Sequence, residues 1–171
     1  MRMTYFLISI FILYLGFPPL KAQDPNEPPT KEVVKVSQQE YFNRFANRFL
    51  TIGDFEKAMY FVKKALELEP NNQESHIILT TILVKTEKLD EAKAESMIAF
   101  PNSKYDQLIF LADKSLEVEP ASILLRKQAL VWALEAQTAN KKLNKWLGII
   151  LANAYFRNND YEKAFEIAKS F

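Results

Sequence analysis

QEYFNRFANRFLTIGDFEKAMYFVKKALELEPNN, residues 39–72, decides the fold of this 171-residue chain. Phe42, Phe45, Ala46 and Phe49 recur at helical spacing and so share one stripe. Ile52-Gly53-Asp54 interrupts the stripe. Glycine takes positive φ without steric cost, and an aspartate accepts from the free amides that open a helix. A second apolar stripe runs to Leu68, and Pro70 stops it. The turn-and-start segment Asp54-Phe55-Glu56-Lys57-Ala58 returns as Asp160-Tyr161-Glu162-Lys163-Ala164, and more weakly as Lys88-Leu89-Asp90-Glu91-Ala92. Ala58 and Ala92 lie 34 residues apart; Ala58 and Ala164 lie 106 apart, three such periods plus four. A period of that length built from paired helices predicts stacked hairpins.

Outward from this stretch the chain reads as helix after helix. Ser37-Gln38-Gln39-Glu40 is a capping box opening a helix to about Thr51. Asn72 caps a third helix, to about Thr86, and a fourth spans roughly Leu89 to Ala99 before Phe100-Pro101. Asn102 or Ser103 starts a fifth, to about Glu117. A short turn at Pro120 leads to a sixth over about Ala121–Gln137 and a seventh over about Asn140–Arg157. Asn158-Asn159-Asp160 turns into an eighth that still runs at Phe171. No segment alternates apolar and polar residues over a strand's length. The expected class is all-α, with about four antiparallel hairpins.

Residues 1–22 read as a signal peptide rather than fold. Arg2 supplies a basic start, Tyr5–Phe17 is an uncharged and mostly apolar run, and Pro18-Pro19 precede Leu20-Lys21-Ala22. The run is shorter than the ~20 apolar residues of a spanning helix. Left uncleaved, it would serve as an anchor, and that is the only membrane contact expected. Cleavage after Ala22 removes Arg2 and Lys21 and leaves 20 basic against 21 acidic side chains, a charge of −1. Pro25, Pro28 and Pro29 make 23–36 an extended linker, and 37–171 is the helical domain.

Composition removes whole classes of function. Three glycines, never clustered, cannot form a phosphate-cradling loop. With no cysteine and one histidine, there is no thiolate site and no paired-histidine metal motif. The balance of 22 basic and 21 acidic side chains gives no footprint for nucleic acid. His76 has no evident partner for base catalysis and reads as a surface or half-buried residue. Lys141, Lys142 and Lys145 read as a solvated basic cluster. No catalytic residue, metal or cofactor is expected, and the chain is expected not to be an enzyme.

Residues 39–72 resemble one complete tetratricopeptide repeat. Phe42 matches its opening aromatic, Phe45-Ala46 its large–small pair, and Phe49 the aromatic near the end of its first helix. Gly53-Asp54-Phe55 matches its turn, Ala58 and Ala65 the small residues of its second helix, and Ala65-Leu-Glu-Leu-Glu-Pro70-Asn-Asn72 its ending. Residues 145–171 match the first 27 positions of another copy through Leu151, Ala152, Tyr155, Asn159-Asp160-Tyr161 and Ala164. The second pair keeps Leu79, Leu89, Ala92 and Ala99 but has Glu87 where the turn glycine belongs. Ser115-Leu-Glu-Val-Glu-Pro120 mimics a repeat ending out of phase, 50 residues after Pro70.

The resemblance implies a right-handed α-solenoid whose concave face, lined by first helices, binds a peptide or helix of a protein partner. Position matching puts Glu40, Asn43, Asn47, Leu50 and Thr51 on that face. It adds Glu74, Ile77, Thr81, Val84 and Lys85 from the second pair, and Trp146, Ile149, Asn153, Phe156 and Arg157 from the last. The groove set is Asn43, Asn47, Leu50, Ile77, Thr81, Val84, Asn153, Phe156 and Arg157. Asn47 and Asn153 either hold a bound backbone, since an amide both donates and accepts, or merely solvate the groove. Leu50, Ile77, Val84 and Phe156 either line an apolar groove or belong to the core. The family's two-lysine carboxylate clamp is not supported, with Asn43 and Ile78 at two of its positions. The resemblance implies a periplasmic or secreted adaptor or scaffold. The alternative is the extracytoplasmic sensor portion of a longer membrane signalling protein. Phe165, Ile167 and Phe171 on an uncapped last repeat offer a contact for self-association.

Overall fold

The computed structural model describes residues 37–140 and 144–170; the expected signal peptide and linker (residues 1–36), Lys141, Lys142 and Phe171 lie outside them. The described residues form eight helices: α1 Gln38–Thr51, α2 Phe55–Leu68, α3 Gln73–Lys85, α4 Leu89–Ala99, α5 Lys104–Leu116, α6 Ile123–Ala139, α7 Lys145–Arg157 and α8 Tyr161–Lys169. Side-chain caps set most of the starts. Ser37 accepts from Glu40 N–H, Asp54 from Lys57, Asn72 from Ser75, Ser103 from Asp106 and Asp160 from Lys163. Lys88, which opens α4, makes no such bond.

Three of the four hairpin turns share one device. Gly53, Glu87 and Asn159 take φ of +79°, +57° and +64°. The next amide reaches back five residues, Asp54 to Phe49, Lys88 to Leu83 and Asp160 to Tyr155, at 2.9–3.0 Å. The positive-φ residue's own amide bonds to Leu50, Val84 or Phe156. This is the Schellman ending, which satisfies carbonyls that a helix leaves orphaned. No atom lies within 4 Å of a Cβ added at Gly53, so its backbone angle alone favours glycine. Glu87 supplies the same angle without glycine.

The third hairpin departs from the pattern. The α5–α6 link runs over residues 117–122 and is longer than the short turn expected at Pro120; its Glu119–Pro120 bond is cis. The helix α6 starts at Ile123 on a Ser122 cap and extends to Ala139, two residues beyond the expected end. The helix α7 starts at Lys145 on an Asn144 cap, not at Asn140, and α8 stops at Lys169. The ends of α1, α3, α5 and α7 fall 34, 31 and 41 residues apart, which accounts for the 106-residue spacing in the sequence.

The helices pack as hairpins α1–α2, α3–α4, α5–α6 and α7–α8. Within the stack, α1, α3, α5 and α7 each pack on the next, forming a continuous inner layer. No two of the outer helices α2, α4, α6 and α8 bring Cα atoms within 8 Å. Ala46 and Ala58 are fully buried, as close helix crossings require. From them one apolar cluster runs through Val62, Ile82, Leu111, Leu125, Trp132 and Leu147 to Ala154. Phe61 anchors the first hairpin, its ring stacked on Phe49 at 5.4 Å and tilted on Phe45 at 5.2 Å.

Candidate functional site

The inner layer has a free face, and its helices contribute unequally to it. Nine of the thirteen residues of α3 are buried, because α1 and α5 flank it. Three expected groove residues are therefore corrected. Asn43 is fully buried between α1 and α3: its Oδ1 accepts from Ser75 Oγ at 2.9 Å, and its Nδ2 donates to Glu74 at 3.2 Å. Thr81 is buried, its hydroxyl donating to the Ile77 carbonyl at 2.9 Å. Val84 is a core residue. Among the other six, Leu50 and Ile77 are half-buried, with Leu50 packed on the core. Asn47, Asn153 and Phe156 are exposed, and Arg157 is half-buried.

His76 differs from its expected place too. It is 6% exposed, with Nδ1 2.7 Å from Glu95 Oε2 and Nε2 2.8 Å from the Pro70 carbonyl. Both partners are acceptors. The ring ties the α2–α3 link and α4 to α3, a structural tie rather than a free base.

Among the inner helices, the large exposed apolar side chains concentrate on α7. Trp146, Ile149 and Phe156 are 53%, 51% and 59% exposed, while Leu147, Ile150, Leu151 and Ala154 face the core. The stripe spans eleven residues, about 15 Å of helix from the first to the last. At its start Trp146 shares a depression with Phe100, Ile109 and Phe110, and with Asp113 and Lys114 on α5. The Lys114 ammonium sits 5.8 Å from the Phe110 ring centre and pairs with Glu117 and Asp113. Burial pushes the Lys114 pKa down, but the bonds and charges of Glu117 and Asp113 outweigh it and hold the group above its ordinary value. At the other end, Asn153, Phe156 and Arg157 meet Arg126, Glu119 and Tyr161 around a cavity of about 340 Å³.

Position matching missed Phe110, Lys114 and Arg126. The first two lie four apart on α5 (Phe110, Lys114), and a phased third hairpin would have shown them; Arg126 on an outer helix had no signal. Among the described residues no group of three His, Asp or Glu is placed to hold a metal ion. No described helix is long and apolar enough to cross a membrane.

In the first hairpin a buried alanine pair at the crossing, a positive-φ turn and a proline-terminated second helix come together within one 34-residue unit. Residues 40–72 match the tetratricopeptide repeat family. The chain is also similar to a DnaJ homolog subfamily C member 3 homolog of Dictyostelium discoideum, 26% identical over 132 residues. That match takes in 68% of this chain and 26% of the relative, so the chain spans about a quarter of the protein it resembles. Tetratricopeptide repeats are non-catalytic scaffolds that generally mediate protein–protein contact.

Proposed function

We propose that this chain is a protein-binding adaptor that seats a segment of a partner on the free face of α7 and α5. The exposed stripe of Trp146, Ile149 and Phe156 carries the reading, on a helix whose opposite side is core. Large aromatic side chains give contact area at low entropic cost and dominate binding energy at interfaces. Asn153 adds an exposed amide beside them, and its Oδ1 already accepts from Arg157 Nε at 3.3 Å. The reading includes export: residues 1–22 act as a cleaved signal, and the partner lies outside the cytoplasm. N-terminal sequencing of the mature protein should then begin at Gln23.

The test is in-cell photo-crosslinking of the full chain with a benzophenone side chain at Ile149, and at exposed Lys127 on α6 as control. One dominant protein adduct at Ile149, absent at Lys127 and lost with Trp146→Ala plus Phe156→Ala, supports the reading. An equal adduct at both positions, or one unaffected by the double substitution, moves the interface elsewhere.

A further inference from the structure

The cavity at the carboxyl end of α7 has an electrostatic character that the apolar stripe does not explain. Its walls include Glu119, Arg126, Asn153, Phe156, Arg157 and Tyr161. Arg157 is satisfied: Nη2 lies 2.5 Å from Glu119 Oε1, and Nε donates to Asn153. Arg126, half-buried on α6, has no carboxylate within ion-pair distance among the described residues. Two guanidinium groups against one carboxylate leave a single uncompensated positive charge beside two aromatic rings, Phe156 and Tyr161, 5.4 Å apart.

We propose that this cavity anchors an aspartate or glutamate side chain of the partner segment that lies along α7, with Arg126 as its principal contact. The inference rests on the α7 binding reading above and adds a sequence requirement to the ligand. Charge complementarity sets the class. One uncompensated positive charge matches one carboxylate, whereas a phosphoryl dianion would stay half neutralised. Glu119 shows the manner of approach. It presents a chain-internal side-chain carboxylate to Arg157 from the non-helical α5–α6 link, and it is largely exposed, so a ligand can share or replace it. A guanidinium offers a planar fork of donors that a carboxylate meets in pairs, and the flanking rings thin out competing water.

The test pans a phage-displayed random decapeptide library on the full chain, with the peptide's C-terminus fused to the coat so that no terminal carboxylate is offered. A second library displays free C-termini. Apolar peptides with an enriched Asp or Glu at one position are expected from the fused library. Changing that residue to its amide should weaken binding about tenfold to the natural chain and less than about twofold to Arg126→Gln. The Arg126→Lys variant keeps the charge and should retain part of the preference, and Glu119→Gln should strengthen it. Matching circular dichroism and melting temperature establish that each variant is folded.

Apolar peptides with no acidic preference overturn the anchor and leave the stripe reading standing. An acidic preference that survives Arg126→Gln overturns it too, because the charge is then read elsewhere. Enrichment only in the free-terminus library assigns the cavity to a terminal carboxylate and overturns the side-chain form. No enrichment in either library overturns both the anchor and the α7 reading.

Discussion

Replacing Asn43 with alanine tests whether this residue builds the stack or serves a groove. Asn43 joins the first hairpin to the second through Ser75 and Glu74, and Gln39 donates to the same Ser75 hydroxyl at 3.2 Å. Two hydrogen bonds are lost, worth about 1 kcal/mol each net. The stranded partners fare well: Ser75 Oγ keeps Asn72 Oδ1 at 3.1 Å, and exposed Glu74 returns to water. The void left by the truncated amide adds about 1 kcal/mol, for a total of roughly 2–3 kcal/mol. The loss should be local, since repeats are held by nearest-neighbour contacts. Amide exchange followed by mass spectrometry should show residues 37–68 exchanging about 30- to 150-fold faster, with residues 145–169 unchanged. The Ser75→Ala partner in a double-mutant cycle should show coupling of about 1 kcal/mol. Unaltered exchange together with lost partner binding would refute this reasoning and return Asn43 to the groove.

Other substitutions probe other links. Ala58→Leu overpacks a fully buried crossing and should cost about 1–3 kcal/mol in chemical denaturation; an unchanged midpoint removes that crossing from the core. Glu87→Gly relieves about 1–2 kcal/mol of left-handed backbone cost and adds about 0.5–1 kcal/mol of chain entropy, so stability should rise by roughly 0.5 kcal/mol. A fall would show that its exposed bond to Ser122 matters more. His76→Leu removes two bonds from a buried ring and should lower stability by about 1–3 kcal/mol; a neutral result in thermal melts would dismiss the tie to Glu95 and Pro70. The Lys57 side chain bonded to Asp54, and Lys163 bonded to Asp160, hold these cap carboxyls below their ordinary value of 3.8. A depressed folded value means stabilisation that is present above about pH 4 and lost as pH falls through the folded values. Asp54→Asn with Asp160→Asn should flatten that acid limb in melts between about pH 2 and 7; identical curves would exclude it.

Local chemistry was legible in the sequence, and tertiary placement was less so. The caps at Ser37, Asp54, Asn72 and Asp160, and the turn at Gly53, each depend on one or two residues and are readable in isolation. The turn at Glu87 was visible only as a missing glycine, because nothing in a glutamate announces positive φ. The third hairpin broke the period, since its inner helix ends 31 residues after the one before it and 41 before the next. Losing the phase there hid Phe110 and Lys114. It also hid what covers α3, because the register of its neighbour α5 was unknown. Buried Thr80 and Thr81 escape notice because each hydroxyl bonds to the carbonyl four residues back, so a polar residue sits in the interior without a distant partner. The partners of His76 come from a turn and the following helix, which helical spacing cannot reveal.

The asymmetry between the two layers has a mechanical consequence. The inner helices bear on one another, so bending that would press them closer meets close-packed side chains, which have low compressibility. The outer helices are tied to their hairpin partners and to the next inner helix, but their backbones leave gaps between one another. The stack is therefore a one-sided spring, stiff toward tightening and compliant toward flattening. A partner segment too bulky for the α5–α7 face is accommodated by flattening, with small rotations taken up in the six-residue α5–α6 link.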